Sequence, residues 1–420
     1  VIEADRASPG FSRRRLLGAA ALGGTSLAVA GVGAGYAAKS AASSSSAAAA
    51  VPFYGRHQAG IATPAQDRLA FAAFDVITAD VRELESMLGL WAAAAERMTR
   101  GELVGPTESA PQSPPVDTGE ALGLAPGQLT VTVGFGPGMF DDRFGLKHKR
   151  PAALAPLPDL PGDQLQTAIS GGDICVQACS EDPQVAFHVI RNLSRIGRGT
   201  VVLRWSQLGF GRTSATSTSQ STPRNLMGFK DGTNNIKAED AAEMADYVWV
   251  GPETDQPWMV DGSYLVSRRI RISLETWDAD YLGDQENVIG RYKNSGAPLS
   301  GHHEFDPVNL TAKQPPGKPV IPLNAHIRLA SHATNDGVRI LRRGYSFTDG
   351  IDPRTGQFDA GLFFIAFQKN AHTQFVPLQT QLGTNDALNE YITHTSSALF
   401  AVPPGLSGVG DWFGRSLFRS

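Results

Sequence analysis

The sequence predicts an α+β protein made of two β-α-β-β-α-β units with antiparallel sheets. Strand-length apolar runs and helix-period runs alternate in that order between residues 69 and 207. The same order of elements returns after residue 263, although the sequence itself does not repeat. The 45 glycines and 27 prolines among 420 residues add long ordered loops between the elements.

In the first half, Leu69–Val76 is a mostly apolar run fit for a buried strand. Ala79–Thr99 has helical spacing at Leu84, Met87, Leu88, Trp91, Ala95 and Met98. Gly101–Gly127 is a Pro/Gly-rich loop, Gln128–Phe135 alternates as a strand, and Met139–Gly162 is irregular. Asp173–Cys179 is the third strand. Glu181-Asp182-Pro183 starts a helix that runs to about Ile196, with an acidic cap and proline in its first turn. Thr200–Gln207 completes the unit, whose order is that of a ferredoxin-like fold. In the second half, Ser263–Ile272 is a strand and Leu274–Tyr281 a short helix. Val338–Phe347 and Gly361–Gln368 are strands, Thr373–Tyr391 is helical with a break near Gly383, and Ser397–Val402 closes the unit.

Residues 1–50 stand apart. Ser12-Arg13-Arg14-Arg15-Leu16-Leu17 opens an Ala/Gly/Leu/Val run reaching about Ala38, the pattern of an export signal. The adjacent arginines fit the twin-arginine type. The run is glycine-rich and only moderately apolar, which favours a cleaved signal over a retained anchor. Lys39–Ala50 reads as an Ala/Ser tether. The chain then divides into halves at 51–215 and 216–420. The leader holds five of the 37 Lys/Arg and two of the 41 Asp/Glu, so the remainder carries a net charge of −7. That balance gives no support for nucleic-acid binding. Cys175 and Cys179 are four residues apart on a strand, about 13 Å and beyond disulfide reach, so both read as packed thiols.

The stretch Asn225–Asn235, NLMGFKDGTNN, places a Lys-Asp pair between Gly228 and Gly232. Glycine permits a tight bend and a close backbone approach, so the Asp231 carboxylate can be held beside a flat ligand. Asn324-Ala325-His326-Ile327-Arg328 and Leu341-Arg342-Arg343-Gly344-Tyr345-Ser346 follow about a hundred residues later. With Gln58–Pro64, Gly171-Gly172-Asp173, Arg204–Gln207 and Gly283–Asn287, this ordered set resembles the dye-decolourising peroxidases, specifically their twin-arginine-exported branch associated with iron uptake. The resemblance covers about residues 52–403.

That resemblance implies a duplicated ferredoxin-like fold with haem b in the second half. It implies an exported, extracytoplasmic enzyme that reduces hydrogen peroxide through a ferryl intermediate and oxidises dyes, phenols or other one-electron donors. The twin-arginine machinery exports folded proteins, which suits an enzyme that acquires its cofactor first. His326 becomes the axial ligand of the haem iron, with its second ring nitrogen donating to a carboxylate, for which Asp359 is the candidate. Asp231 becomes the general acid/base, Arg342 the charge stabiliser and Asn235 an orienting group for distal water or peroxide. Arg328 becomes a propionate partner. Gly228, Phe229, Lys230, Gly232 and Thr233 form the cofactor-facing loop, and Ser346 and Phe347 the distal face.

This chain departs from parts of the family at two positions. Gly344 stands where some members carry asparagine, and Phe367 where many carry tyrosine before Gln368. Electron relay from bulky donors would then use Tyr345 or Trp205. The exported branch also implies an alternative, release of iron from intact haem (deferrochelatase), with partners in iron uptake. The residues alone also fit a non-haem ferredoxin-like binding module with a structural His326. His302-His303-Glu304 reads as a solvated loop rather than a metal cluster.

Overall fold

A computed structural model describes residues 50–419 except Ser109. The expected export signal and nearly all of the Ala/Ser tether lie outside the described residues. Among those described, no helix is long and apolar enough to cross a membrane.

The first unit contains β1 (Arg68–Val76), α1 (Val81–Thr99), β2 (Thr130–Phe135), β3 (Ile174–Ser180), α2 (Pro183–Ile196) and β4 (Val201–Arg212). Asp80 caps α1 by accepting from Arg82 N at 2.8 Å, and the buried face carries the expected Leu84, Met87, Leu88, Trp91, Ala95 and Met98. Asp182 caps α2 by accepting from the amides of Gln184 and Val185, with Pro183 opening the helix. Both helices pack on one face of an antiparallel sheet ordered β2-β3-β1-β4.

The second unit contains β5 (Ser263–Ile272), α4 (Leu274–Ala279) and α5 (Leu282–Ile289), preceded by α3 (Ala241–Tyr247). A long crossover follows, with a small hairpin of β6 (Lys313–Gln314) and β7 (Lys318–Pro319) and the one-turn helix α6 (His326–Leu329). Then come β8 (Leu341–Arg342), β9 (Tyr345–Ile351), β10 (Phe358–Gln368), α7 (Phe375–Asn385) and β11 (Ile392–Val402), and α8 (Arg415–Arg419) ends the chain. The sheet is again antiparallel, ordered β11-β5-β10-β9, with β8 in line with β9 on the same neighbour.

The two sheets join at both edges. Phe135 pairs with Ala401 on one side, and Phe210 and Arg212 pair with Ser346 and Tyr345 on the other. With β10 also paired to β5, eight strands close into a barrel. Much of its interior is apolar, filled by Phe71, Leu265, Tyr345, Phe347, Phe363 and Phe400 among others, while buried Gln177, Ser267 and Arg269 occupy the same faces of their strands. Cys175 and Cys179 point into it as free, buried thiols.

Several boundaries differ from the sequence reading. β4 continues five residues past Gln207, because its end pairs with β9 of the other unit. The run 338–347 is not one strand: 338–340 are irregular, and Arg343-Gly344 interrupts the ladder while keeping register. Helix α7 passes straight through Gly383. A Cβ there would lie 2.3 Å from the Pro161 carbonyl oxygen, so this glycine permits close packing rather than a break. The break comes at Asp386, which caps the next turn. Helices α3 and α5 had no counterpart in the sequence reading, and β11 starts five residues early.

Candidate active site

A cavity of about 630 Å³ lies on the outer face of the second sheet. One wall is the apolar surface of β5 and β10, with Ile270, Ile272, Leu362 and Phe364. Residues of α7, including Phe375, Leu378 and Leu382, face it. The volume and mostly apolar lining fall in the range of cofactor sites, roughly 300–1,000 Å³.

His326 opens α6 and lines this cavity. Its Nδ1 is 2.6 Å from Asp386 Oδ2. The backbone sets up this contact: Ala387 N donates to Asn324 O at 3.0 Å, laying the turn after α7 beside the histidine. The other oxygen of Asp386 accepts from Leu388 N at 2.9 Å, which fixes the carboxylate plane. Burial disfavours the imidazolium, but the charge and hydrogen bond of Asp386 outweigh it and hold the pKa above the usual histidine value. With Nδ1–H committed to the carboxylate, Nε2 is the ring nitrogen left for a metal.

Asp386, not Asp359, is therefore the carboxylate beside His326. Asp359 stands near the start of β10, at an open end of the barrel. There it meets Arg269 at 2.9 Å and Arg271 at 4.0 Å on the paired strand β5. It lines a second cavity of about 450 Å³.

Asp231 and Arg342 meet in the first cavity, Arg342 Nη2 lying 2.8 Å from Asp231 Oδ1. Asp231 is set by a loop folded on itself. Its amide donates to Pro223 O at 2.9 Å, and Asn225 Nδ2 donates to its Oδ2 at 3.1 Å. Asn225 Oδ1 meanwhile accepts from the amides of Met227 and Phe229. Gly228 and Gly232 take φ of 83° and 81°, the left-handed values that favour glycine. A Cβ on Gly232 would also come 3.0 Å from Ser214 Cα.

Phe229, Lys230, Gly232, Thr233 and Asn235 line the same cavity, so the sequence reading brought eight site residues to one place. Asn235 does not have the role expected of it. Its Oδ1 accepts from Arg342 N at 2.8 Å, and its Nδ2 donates to Arg342 O at 2.8 Å and Ala215 O at 3.2 Å. The side chain replaces a strand neighbour for Arg342 and is consumed in doing so, so it positions the guanidinium rather than a water. The Lys230 ammonium pairs with Glu304, whose Oε1 also accepts from Thr233 Oγ1 at 3.2 Å. This draws Glu304 away from His302 and His303, which are exposed.

Four assignments fall outside the lining. Gly228 sits between Met227 and Phe229, which line the cavity, but does not line it itself. Arg328 donates to the carbonyls of Leu310, Ile321 and Pro322, so it pins the crossover instead of facing a carboxylate ligand. Phe347 points into the barrel, because it lies on the opposite face of β9 from the cavity. Ser346 is buried where β9 meets Phe210 of β4 and Leu362 of β10. Tyr345 and Trp205 also belong to the barrel interior, where Trp205 stacks on Phe71 with ring centroids 5.4 Å apart. Sequence reasoning missed three contributors: Asp386, Asn225 and Glu304. The Asn-Asp step closing the α7 pattern and the Asn six residues before Asp231 were the available signals.

Two family models match this chain, Dyp-type peroxidase N-terminal over residues 58–211 and Dyp-type peroxidase C-terminal over residues 222–407. The chain belongs to the Dyp-type peroxidase family. Among its relatives, the deferrochelatase of Escherichia coli (strain K12) is 37% identical over 416 residues, covering 97% of both chains. That of Yersinia pestis bv. Antiqua (strain Nepal516) is 38% identical over 375 residues, 88% of this chain and 85% of its own. Among solved structures, an oxyferrous complex of DtpA from Streptomyces lividans superposes with a TM-score of 0.81 at 39% identity, covering 89% of this chain and 99% of that one. The DyP-type peroxidase from Cellulomonas bogoriensis gives 0.79 at 38% identity, with the same shares covered. In this Dyp-type peroxidase the cavity suits haem on its own terms. It has an apolar wall, one histidine whose Nδ1 is occupied by a carboxylate, and an acid–guanidinium pair in the same space.

Proposed function

We propose that this chain is a haem-dependent peroxidase, in which His326 would hold the haem iron through Nε2 and the Asp231–Arg342 pair would act on peroxide. The carrying observation is that one cavity holds both a carboxylate-backed imidazole and a carboxylate–guanidinium pair. Bound haem supplies the iron at which the O–O bond of hydrogen peroxide is broken and the oxidising equivalents passed to electron donors. Asp386 keeps the His326 proton on Nδ1 and enriches the ligand nitrogen. Asp231, held by Asn225, accepts the proton of the inner peroxide oxygen and returns it to the outer one, which leaves as water. Arg342 stays protonated and offers fixed positive charge to the departing oxygen. Asn235 keeps that strand in register. Donors are dyes, phenols and other one-electron reductants.

The leader supports export through the twin-arginine machinery to an extracytoplasmic site, since paired arginines precede a moderately apolar run. The deferrochelatase relatives favour a second reading, in which the same pocket releases iron from intact porphyrin as part of iron uptake. One experiment separates the two readings. Haem-loaded protein receives one equivalent of peroxide while its absorption spectrum is followed, and the pigment is extracted afterwards. A prompt Soret shift, reversed by an added phenol with haem recovered intact, is the peroxidase result. Metal-free protoporphyrin in the extract is the iron-release result. Failure to take up haem contradicts both.

A further inference from the structure

Four phenylalanines line the cavity, Phe229, Phe305, Phe364 and Phe375, and of these only Phe305 is largely exposed. Phe305 lines it and yet is 72% exposed. Among the described residues it is the exposed large hydrophobic side chain on this cavity. Its loop is pinned on both sides. Before it, the Glu304 carboxylate holds Lys230 and Thr233 of the Asp231 loop, and the Glu304 carbonyl accepts from buried Arg291 at 3.0 Å. After it, Asp306 Oδ2 accepts from the amides of His302 at 2.8 Å and His303 at 2.9 Å, and Asp306 N donates to His303 O at 3.1 Å. These bonds fix the backbone on either side of Phe305, and the ring stands at the edge of the cavity with most of its surface exposed. A phenyl ring held this way keeps its apolar face available and prepays the ordering of its loop. Peroxide, small and polar, has no use for such a face. A flat aromatic electron donor does, and stacking rings add about two- to tenfold in affinity. The Asp306 carboxylate, which also lines the cavity, favours an uncharged donor over an anionic one.

We propose that Phe305 is the docking platform for neutral aromatic electron donors at the mouth of the active-site cavity, a specificity-determining residue for the reducing half of the reaction. The proposal rests on the peroxidase reading. Its test uses the full-length, haem-loaded protein with Phe305→Ala and Phe305→Tyr. Phenol binding to the ferric protein is titrated without peroxide by the perturbation of the Soret band. The KM for guaiacol and, as a non-aromatic donor, for ferrocyanide is then measured. In Phe305→Ala the phenol Kd and the guaiacol KM rise together by about three- to tenfold. Haem content, the rate of reaction with peroxide and the ferrocyanide KM are unchanged. Phe305→Tyr, which keeps the ring, stays within about twofold of the parent. An unchanged phenol Kd in Phe305→Ala overturns the proposal. So does loss of haem affinity with all donors affected equally, because that places the ring against the cofactor. A parent protein that reacts with peroxide but does not bind phenol defeats the proposal and leaves the peroxidase reading standing. A parent protein that binds phenol but is inert to peroxide defeats the peroxidase reading instead.

Discussion

At the scale of single residues, two carboxylates do different work because their surroundings differ. Asp386 is nearly enclosed and divides its oxygens between Leu388 N and the His326 ring. Replacing it with asparagine keeps an oxygen for Nδ1–H but removes the charge that raises the histidine pKa. Haem affinity of Asp386→Asn should fall about 10- to 100-fold, as for other partners of metal-bound histidines. Competitive haem transfer to an apo-globin measures it, and an unchanged affinity would return Asp386 to a purely capping role. Asp231 instead pairs directly with Arg342 inside the cavity and is steadied by Asn225. Asn225→Ala should slow the reaction with peroxide by about 10- to 100-fold, the worth of a hydrogen bond to a charged group, while haem binding is kept. Rapid-mixing absorption reads that rate.

At the scale of elements, the instructive cases are a strand, a helix and the turn that ends it. His394 on β11 is buried, and burial together with the nearby Arg268 charge pushes its pKa down to about 3. Arg268 pairs with Asp163, and Gln379 of α7 approaches the imidazole from above. The folded protein therefore keeps His394 neutral where the unfolded chain, with a pKa near 6.5, takes up a proton. More protons bound in the unfolded state means stability rises with pH. It is full above about pH 6.5, falls by up to about 1.4 kcal/mol per unit as the pH drops toward 3, and changes no further below that. Urea midpoints of the parent and of His394→Gln between pH 7 and 4 should diverge in this sense, the parent losing more. Parallel curves would contradict the buried neutral assignment. For α7, Gly383→Ala forces a methyl toward the Pro161 carbonyl oxygen and should cost about 1–3 kcal/mol, despite the better helix propensity of alanine.

These same elements show what could be read in the sequence. The Gly228–Gly232 bend, the His326 turn and the Arg342 strand are local features, each stated by residues within a few positions of one another. The choice of Asp386 over Asp359 was not local. It depends on Ala387 N meeting Asn324 O across 63 residues, a contact no periodicity records. The fate of Arg328 and Asn235 was hidden for the same reason, since both side chains are spent on backbone groups brought near by the fold.

At the scale of the whole molecule, two units legible as separate patterns share one barrel. Each sheet lends its edge strand to the other, and the closed interior leaves no long open edge between them. The cavity then lies outside the barrel, on the face of the second sheet not covered as α1 and α2 cover the first. Cys175 and Cys179 lie inside, with burial pushing the Cys175 thiol well above the usual range. Both thiols should resist a thiol reagent in the native protein and be labelled at the rate of global unfolding. Fast labelling of either would mean that the barrel opens locally. In the proposed mechanism, the Asp231–Arg342 pair is the part of the cavity that acts on peroxide. The most direct measurement is rapid mixing of haem-loaded Asp231→Ala with hydrogen peroxide, beside the parent protein. The variant should hold haem as tightly as the parent and react about 10²- to 10⁴-fold more slowly, the span of a lost general acid/base. Reaction at the parent rate would remove Asp231 from the mechanism and with it the reading of this cavity.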